Sequence, residues 1–277
     1  MDERPIGVFD SGVGGLTVVK EIRAILPTED IVYFGDTARV PYGNKSIPVI
    51  RRFCLEIVNF LETMKVKMIV IACNTASALA LDHVRRNTVL PVIGVIDPGV
   101  RAALRKAPSV NDREKKIGVI GTRATIKSEA YQKRLKRLDS GCSVFAKPCP
   151  LFVPIVEENL SDSIIAEQTL NMYLDEFRSL SLDALILACT HYPLLKKSLD
   201  IFFDKKVILI DSAEETALEV AEILKAHRIS APSERNGTDE FYVSDSPESF
   251  MLVGSQFLKH PLDKVFLEPV WQRTSEK

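Results

Sequence analysis

Two cysteines sit in closely similar settings. Cys73, in Ala72-Cys-Asn-Thr-Ala76, and Cys189, in Ala188-Cys-Thr-His191, each follow an apolar run that ends in alanine and precede small hydroxyl- or amide-bearing residues. A thiol has a reference pKa near 8.5, so holding it as thiolate at pH 7 costs only about 2 kcal/mol, and a helix N-terminus is expected to lower that cost. Two thiols facing each other across one substrate are a two-base device: one thiolate removes a proton and the opposite thiol returns one. The competing reading of each is a buried thiol that only fills core volume. An internal repeat favours the first reading. Ile6-Gly-Val8 recurs as Ile117-Gly-Val119, a shift of 111; Val70-Ile-Ala-Cys73 recurs as Ile186-Leu-Ala-Cys189, a shift of 116; and Val95-Ile-Asp97 recurs as Leu209-Ile-Asp211, a shift of 114. Halves related in this way and facing each other would put the two thiols on opposite sides of one cleft. Cys54, inside a helical pattern, is expected to be core and Cys142 a loop residue; the role of Cys149 stays open.

Other strand ends carry candidate groups as well. Asp10-Ser-Gly-Val-Gly-Gly15 follows the first apolar run, Gly35-Asp-Thr-Ala-Arg-Val-Pro-Tyr-Gly43 the second, and Gly121-Thr-Arg-Ala-Thr125 opens the second half. Gly12-x-Gly14-x-x-Thr17 is not a dinucleotide fingerprint: the third glycine is missing and Asp10 would repel a pyrophosphate. A Gly-Lys-Ser/Thr phosphate loop is absent, and Cys189-x-His191 offers two ligands where zinc takes three or four. No nucleotide or metal cofactor is therefore expected.

The elements that must position these groups alternate. Short β-branched runs (6–9, 31–34, 68–72, 92–96, 117–120, 143–146, 184–188, 207–210 and 240–243) are separated by helical patterns at 16–26, 47–63, 127–138, 164–177 and 216–225. Near-continuous apolar runs are the mark of parallel strands covered on both faces. The expected fold is α/β, with two similar parallel-sheet α/β domains related by internal pseudo-symmetry and the active site in the cleft between them. The expected division is 1–98 plus 212–277 for the first and 99–211 for the second, the tail docking back on the first half. The 277 residues carry 36 Lys+Arg against 37 Asp+Glu, a net charge of −1 that argues against a nucleic-acid partner. No apolar run approaches the ~18 residues of a membrane span. The charged start, Met1 to Pro5, runs straight into a strand pattern, so no export signal is expected. The five cysteines are then expected to stay free in a reducing cytoplasm.

Four segments together, Phe9-Asp-Ser-Gly-Val-Gly-Gly-Leu-Thr17, Tyr33-Phe-Gly-Asp-Thr-Ala-Arg-Val-Pro-Tyr-Gly43, Ala72-Cys-Asn-Thr-Ala76 and Ala188-Cys-Thr-His-Tyr-Pro193, resemble the glutamate racemases of the cofactor-independent aspartate/glutamate racemase family. The resemblance runs from about residue 5 to 215. It implies interconversion of L- and D-glutamate, supply of D-glutamate for peptidoglycan, no pyridoxal phosphate, metal or nucleotide, and a homodimer. It implies that Cys73 deprotonates D-glutamate and Cys189 L-glutamate, with Asp10 and His191 assisting. It implies substrate contacts from Asp10, Ser11, Tyr42, Gly43, Asn74, Thr75, Thr190 and His191, with Thr122 and Glu157 in a second tier. Some members bind a cell-wall precursor through an N-terminal extension; none is evident here, so that regulation is not expected. An aspartate or broader amino-acid racemase stays open, and so does a two-lobed binding protein of the same architecture, although that would leave the matched cysteines without a purpose.

Overall fold

The computed structural model describes residues 1–107 and 114–272; the parts of the expected units at 108–113 and 273–277 lie outside the described residues. Along the chain run β1 (Ile6–Asp10), α1 (Leu16–Ile25), β2 (Ile31–Gly35), α2 (Ile47–Thr63), β3 (Met68–Ile71), α3 (Asn74–Arg85), β4 (Val92–Gly94) and α4 (Ile96–Lys106). There follow β5 (Lys116–Gly121), α5 (Arg123–Lys127), α6 (Ala130–Leu138), β6 (Ser143–Pro148), α7 (Phe152–Glu157), α8 (Ile164–Arg178), β7 (Ala184–Ala188), α9 (Lys196–Phe202) and β8 (Ile208–Ile210). The chain closes with α10 (Ser212–His227), β9 (Asp239–Val243), α11 (Pro247–Leu258) and β10 (Val265–Leu267).

Two sheets result, as the alternation predicts. One has the order β10-β9-β2-β1-β3-β4 and the other β6-β5-β7-β8, and every pairing in both is parallel. The order β2-β1-β3-β4 of the first is the order β6-β5-β7-β8 of the second, so the repeat read from short motifs is a repeat of topology. β1 and β5 are the central strands of their halves, and β3 and β7, which deliver Cys73 and Cys189, lie beside them in equivalent places. The tail adds β9 and β10 to the first sheet through the β2–β9 pairing, with Tyr33 opposite Phe241. A shared apolar cluster joins the halves: Val8, Leu16 and Val19 belong to the same buried group as Leu187, Ala217 and Val220. Among the described residues no helix is long and apolar enough to cross a membrane.

The structure departs from the sequence expectation at several places. The run 92–96 is a strand only to Gly94; Val95 turns helical and α4 starts at Ile96, with Asp97 in its first turn where an acidic side chain favours the helix dipole. The single helix expected over 127–138 is two, because Glu129 takes a left-handed φ of 58° between α5 and α6. There the Ser128 hydroxyl donates to the carbonyl of Thr125 and accepts from the N–H of Ala130, competing with the helical ladder. α4, α7, α9, α11 and β10 are also unexpected, and α11 packs on α1.

Candidate active site

Parallel sheets place ligands beyond the carboxyl ends of their strands, and both thiols are there. β3 ends at Ile71, and Cys73 is the residue that caps the N-terminus of α3. β7 ends at Ala188, and Cys189 follows at once. Both are nearly buried, at 5% and 6% exposure, and both line one cleft of about 430 Å³ between the two sheets' strand ends. From the first half the cleft receives Ser11, Tyr42, Gly43, Asn74 and Thr75; from the second it receives Thr122, Glu157, Thr190 and His191. Of the catalytic and substrate-contact residues that the resemblance implies, only Asp10 stands behind the wall rather than in it. It is 1% exposed; one carboxylate oxygen accepts the N–H of Gly12 at 2.9 Å and the other the hydroxyl of Thr190 at 3.3 Å. Asp10 therefore ties the loop before α1 to the residue after Cys189. Cys54 and Cys142 are buried away from the cleft, and Cys149 is buried beneath it, its carbonyl accepting from the Tyr192 hydroxyl.

The two thiols differ in their surroundings. Cys73 Sγ lies 3.6 Å from Ser11 Oγ and accepts the N–H of Ala76. Burial, aided by the negative charge of Asp10, nevertheless pushes its pKa up to about 12. The expected lowering by the helix N-terminus is thus overruled: one helix end and two hydrogen bonds do not replace the water lost around a sulfur anion. Cys189 Sγ lies 3.9 Å from His191 Nδ1, and His191 Nε2 is 2.8 Å from Glu157 Oε1, forming a sulfur–imidazole–carboxylate chain that reaches the half-exposed Glu157. Phe257 of α11 packs edge-on against the imidazole, with ring centroids 5.4 Å apart. Burial alone would depress the His191 pKa, but the bonds to Cys189 and Glu157 outweigh it and raise it to about 10. Burial also raises the Asp10 carboxyl, opposed by the His191 charge and by bonds from Gly12, Gly15 and Thr190. Among the described residues, no three His, Cys, Asp or Glu side chains converge as a metal site requires.

The profile of the Asp/Glu/Hydantoin racemase family matches residues 6–220. The chain belongs to that family. The racemase is 47% identical over 266 residues to the glutamate racemase of Geobacter metallireducens, covering 96% of this chain and 97% of that one. Its fold superposes on the glutamate racemase of Francisella tularensis in complex with D-glutamate with a TM-score of 0.89 at 40% identity, over 98% of this chain and 99% of that one. A glutamate racemase isoform of Bacillus anthracis gives a TM-score of 0.91 at 39% identity, over 97% and 99%. The enzyme class and the fold read from the motifs hold.

Contacts across the cleft of this racemase include several that motif reading passes over. A Cβ at Gly14 would lie 2.2 Å from Thr190 Oγ1, and one at Gly43 would lie 2.8 Å from Thr122 Cβ, so the backbone of one half abuts side chains of the other. Thr75, Thr122 and Thr125 form a triangle of hydroxyls with edges of 2.9–3.0 Å spanning both halves. Gly14 lies in a motif segment but has no side chain to mark a contact, and Thr125 lies in a strand-end loop to which the motifs assign no role. The Tyr33 hydroxyl donates to the carbonyl of Gly12 at 2.6 Å and holds the Asp10 loop from behind; as a strand residue it looks like ordinary core.

The His191 arrangement has a thermodynamic signature. Its pKa rises on folding from about 6.5 to about 10, so between those values the native state binds a proton that the unfolded chain does not. The stabilisation is fully present below pH 6.5 and is lost as pH rises toward 10, on the order of a few kcal/mol. Urea denaturation of wild type should therefore lose more stability between pH 6.5 and 10 than His191→Gln does. Parallel pH dependences for the two proteins would contradict the assignment.

Proposed function

We propose that this racemase interconverts L- and D-glutamate without a cofactor, using Cys73 and Cys189 as the two bases. The observation that carries the reading is the convergence on one cleft of two thiols from repeat-equivalent strand ends, one on each half. Units 1–98 plus 212–277 and 99–211 form its two walls. The α-hydrogen of an amino acid is a very weak acid, and nothing in the chain delocalises a carbanion, so positioning and electrostatics must lower the barrier. Glutamate binds with its carboxylates against backbone N–H groups and hydroxyls: Ser11, Tyr42 and Gly43 on one side, Asn74, Thr75, Thr122 and Thr190 on the other. The first N–H groups of α3 have no partner inside the helix and favour an anion.

A Cys73 thiolate takes the α-proton of D-glutamate, and the Cys189 thiol gives its proton to the opposite face. L-Glutamate leaves, and each sulfur now holds the other's protonation state. The reverse direction begins at Cys189, where the His191 imidazolium, oriented by Glu157, steadies the sulfur anion. Raising Cys73 to about 12 makes its thiolate expensive at pH 7, roughly 7 kcal/mol at 1.36 kcal/mol per pK unit. The substrate ammonium, brought close in the closed cleft, offsets part of that. Asp10, from behind the wall, holds the Ser11 loop and Thr190 through its two carboxylate oxygens. The product D-glutamate serves peptidoglycan synthesis in the cytoplasm, and the enzyme works as a homodimer. Dialysed protein incubated with L-glutamate alone should bring optical rotation to zero, and L-aspartate should be a poor substrate. Activity lost to a chelator and restored by zinc, or faster turnover of aspartate, would overturn the reading.

A further inference from the structure

Tyr131 lies on α6 of the second half and has 0% exposure. It does not line the cleft, yet its hydroxyl is 2.5 Å from Oδ1 of Asn74, which does. A phenol has one proton, and here it is donated to Asn74, so the amide turns its oxygen toward Tyr131. The Asn74 NH₂ then faces the other way, at the N-terminus of the twelve-residue α3 where an anion is favoured. Left to itself, a primary amide would present NH₂ or oxygen to the cleft with little preference.

We propose that Tyr131 is a positioning residue: its bond to Asn74 locks the amide with its NH₂ toward the cleft, fixing that wall as a carboxylate-binding donor. The inference rests on the glutamate reading given above. Since α6 belongs to the second half while α3 follows β3 in the first, the bond also makes donor orientation depend on the halves being docked. A separated pair of halves would release the amide and lose the preference for an anion.

Tyr131→Phe keeps the ring and removes the bond to Asn74. Without it the amide presents its oxygen for much of the time, so KM should rise about 10-fold for both enantiomers while kcat stays within about 2-fold, the mark of lost uniform binding. A merely structural role would lower the active fraction, and hence kcat, with KM unchanged. Asn74→Asp supplies the second arm. It is isosteric and still accepts from Tyr131, so folding does not depend on the lost group, but it turns an anionic oxygen toward the substrate, and KM should rise by about 100-fold. Wild-type KM in either variant, or a fall in kcat alone for Tyr131→Phe, would overturn the inference even where wild type racemises glutamate. Wild type unable to racemise glutamate would overturn the functional reading and this inference with it.

Discussion

Cys73→Ala and Cys189→Ala should each bring racemisation down by more than the ~10²–10⁴ that one general acid or base ordinarily supplies, because no cofactor shares the work. Racemisation has an equilibrium constant of one, so kcat/KM is the same in both directions for wild type and for every variant, and steady-state rates cannot reveal which thiol serves which enantiomer. The half-reactions can. In D₂O, Cys73→Ala should still exchange the α-hydrogen of L-glutamate through Cys189 but not that of D-glutamate, and Cys189→Ala should do the reverse. Serine at either position should be nearly as damaging as alanine, since a hydroxyl is a far poorer source of anionic base near neutral pH. Cys54, buried in the α2 core, should tolerate alanine with turnover near wild type. A folded Cys73→Ala or Cys189→Ala protein racemising at the native rate would end the two-thiol mechanism.

The parts of this molecule legible in the sequence are those written in local periodicity. β-Branched runs announce the strands, and the recurrence of strand-end motifs announces that β1 and β5, β3 and β7, and β4 and β8 are equivalent. The convergence of Cys73 and Cys189 on one cleft follows from that equivalence together with the rule that sites lie at strand carboxyl ends. What is not legible depends on partners distant in sequence. Tyr131 reads as one more apolar residue of an amphipathic helix, because its partner Asn74 is 57 positions away. The split between α5 and α6 is decided by side-chain bonds of Ser128 that propensity does not weigh. The high pKa of Cys73 is invisible as well. A helix N-terminus can be read from sequence, whereas the burial that overrules it is a property of the assembled halves. α11, which supplies the aromatic edge against His191, looks unremarkable in the chain because its Phe257 finds the imidazole only once the tail has docked.

Gly14→Ala should cost about 10²-fold or more in kcat/KM while leaving the protein folded. No glycine of the described residues has a positive φ, so alanine at 14 meets no backbone penalty, and the whole effect lies in what its methyl group touches. That methyl would sit 2.2 Å from Thr190 Oγ1 and 2.6 Å from His191 Nδ1, far inside contact distance and against groups of the opposite half. Neither can yield cheaply. Thr190 is bonded to Asp10, and His191 is held between Cys189 and Glu157 with Phe257 against its ring. The remaining response is for the halves to part by about an ångström, which moves the two thiols away from opposite faces of one α-carbon. Misplacement on that scale is what a 10²-fold loss corresponds to, while the cost in stability should stay within the ~1–3 kcal/mol of an overpacked contact. Gly141→Ala is the matched control: its Cβ would meet only Asp139 Oδ1, at 3.5 Å, on an exposed turn, and kcat/KM should not change. If Gly14→Ala matched wild type in kcat/KM, the two halves would not need to close this tightly for the thiols to reach their substrate.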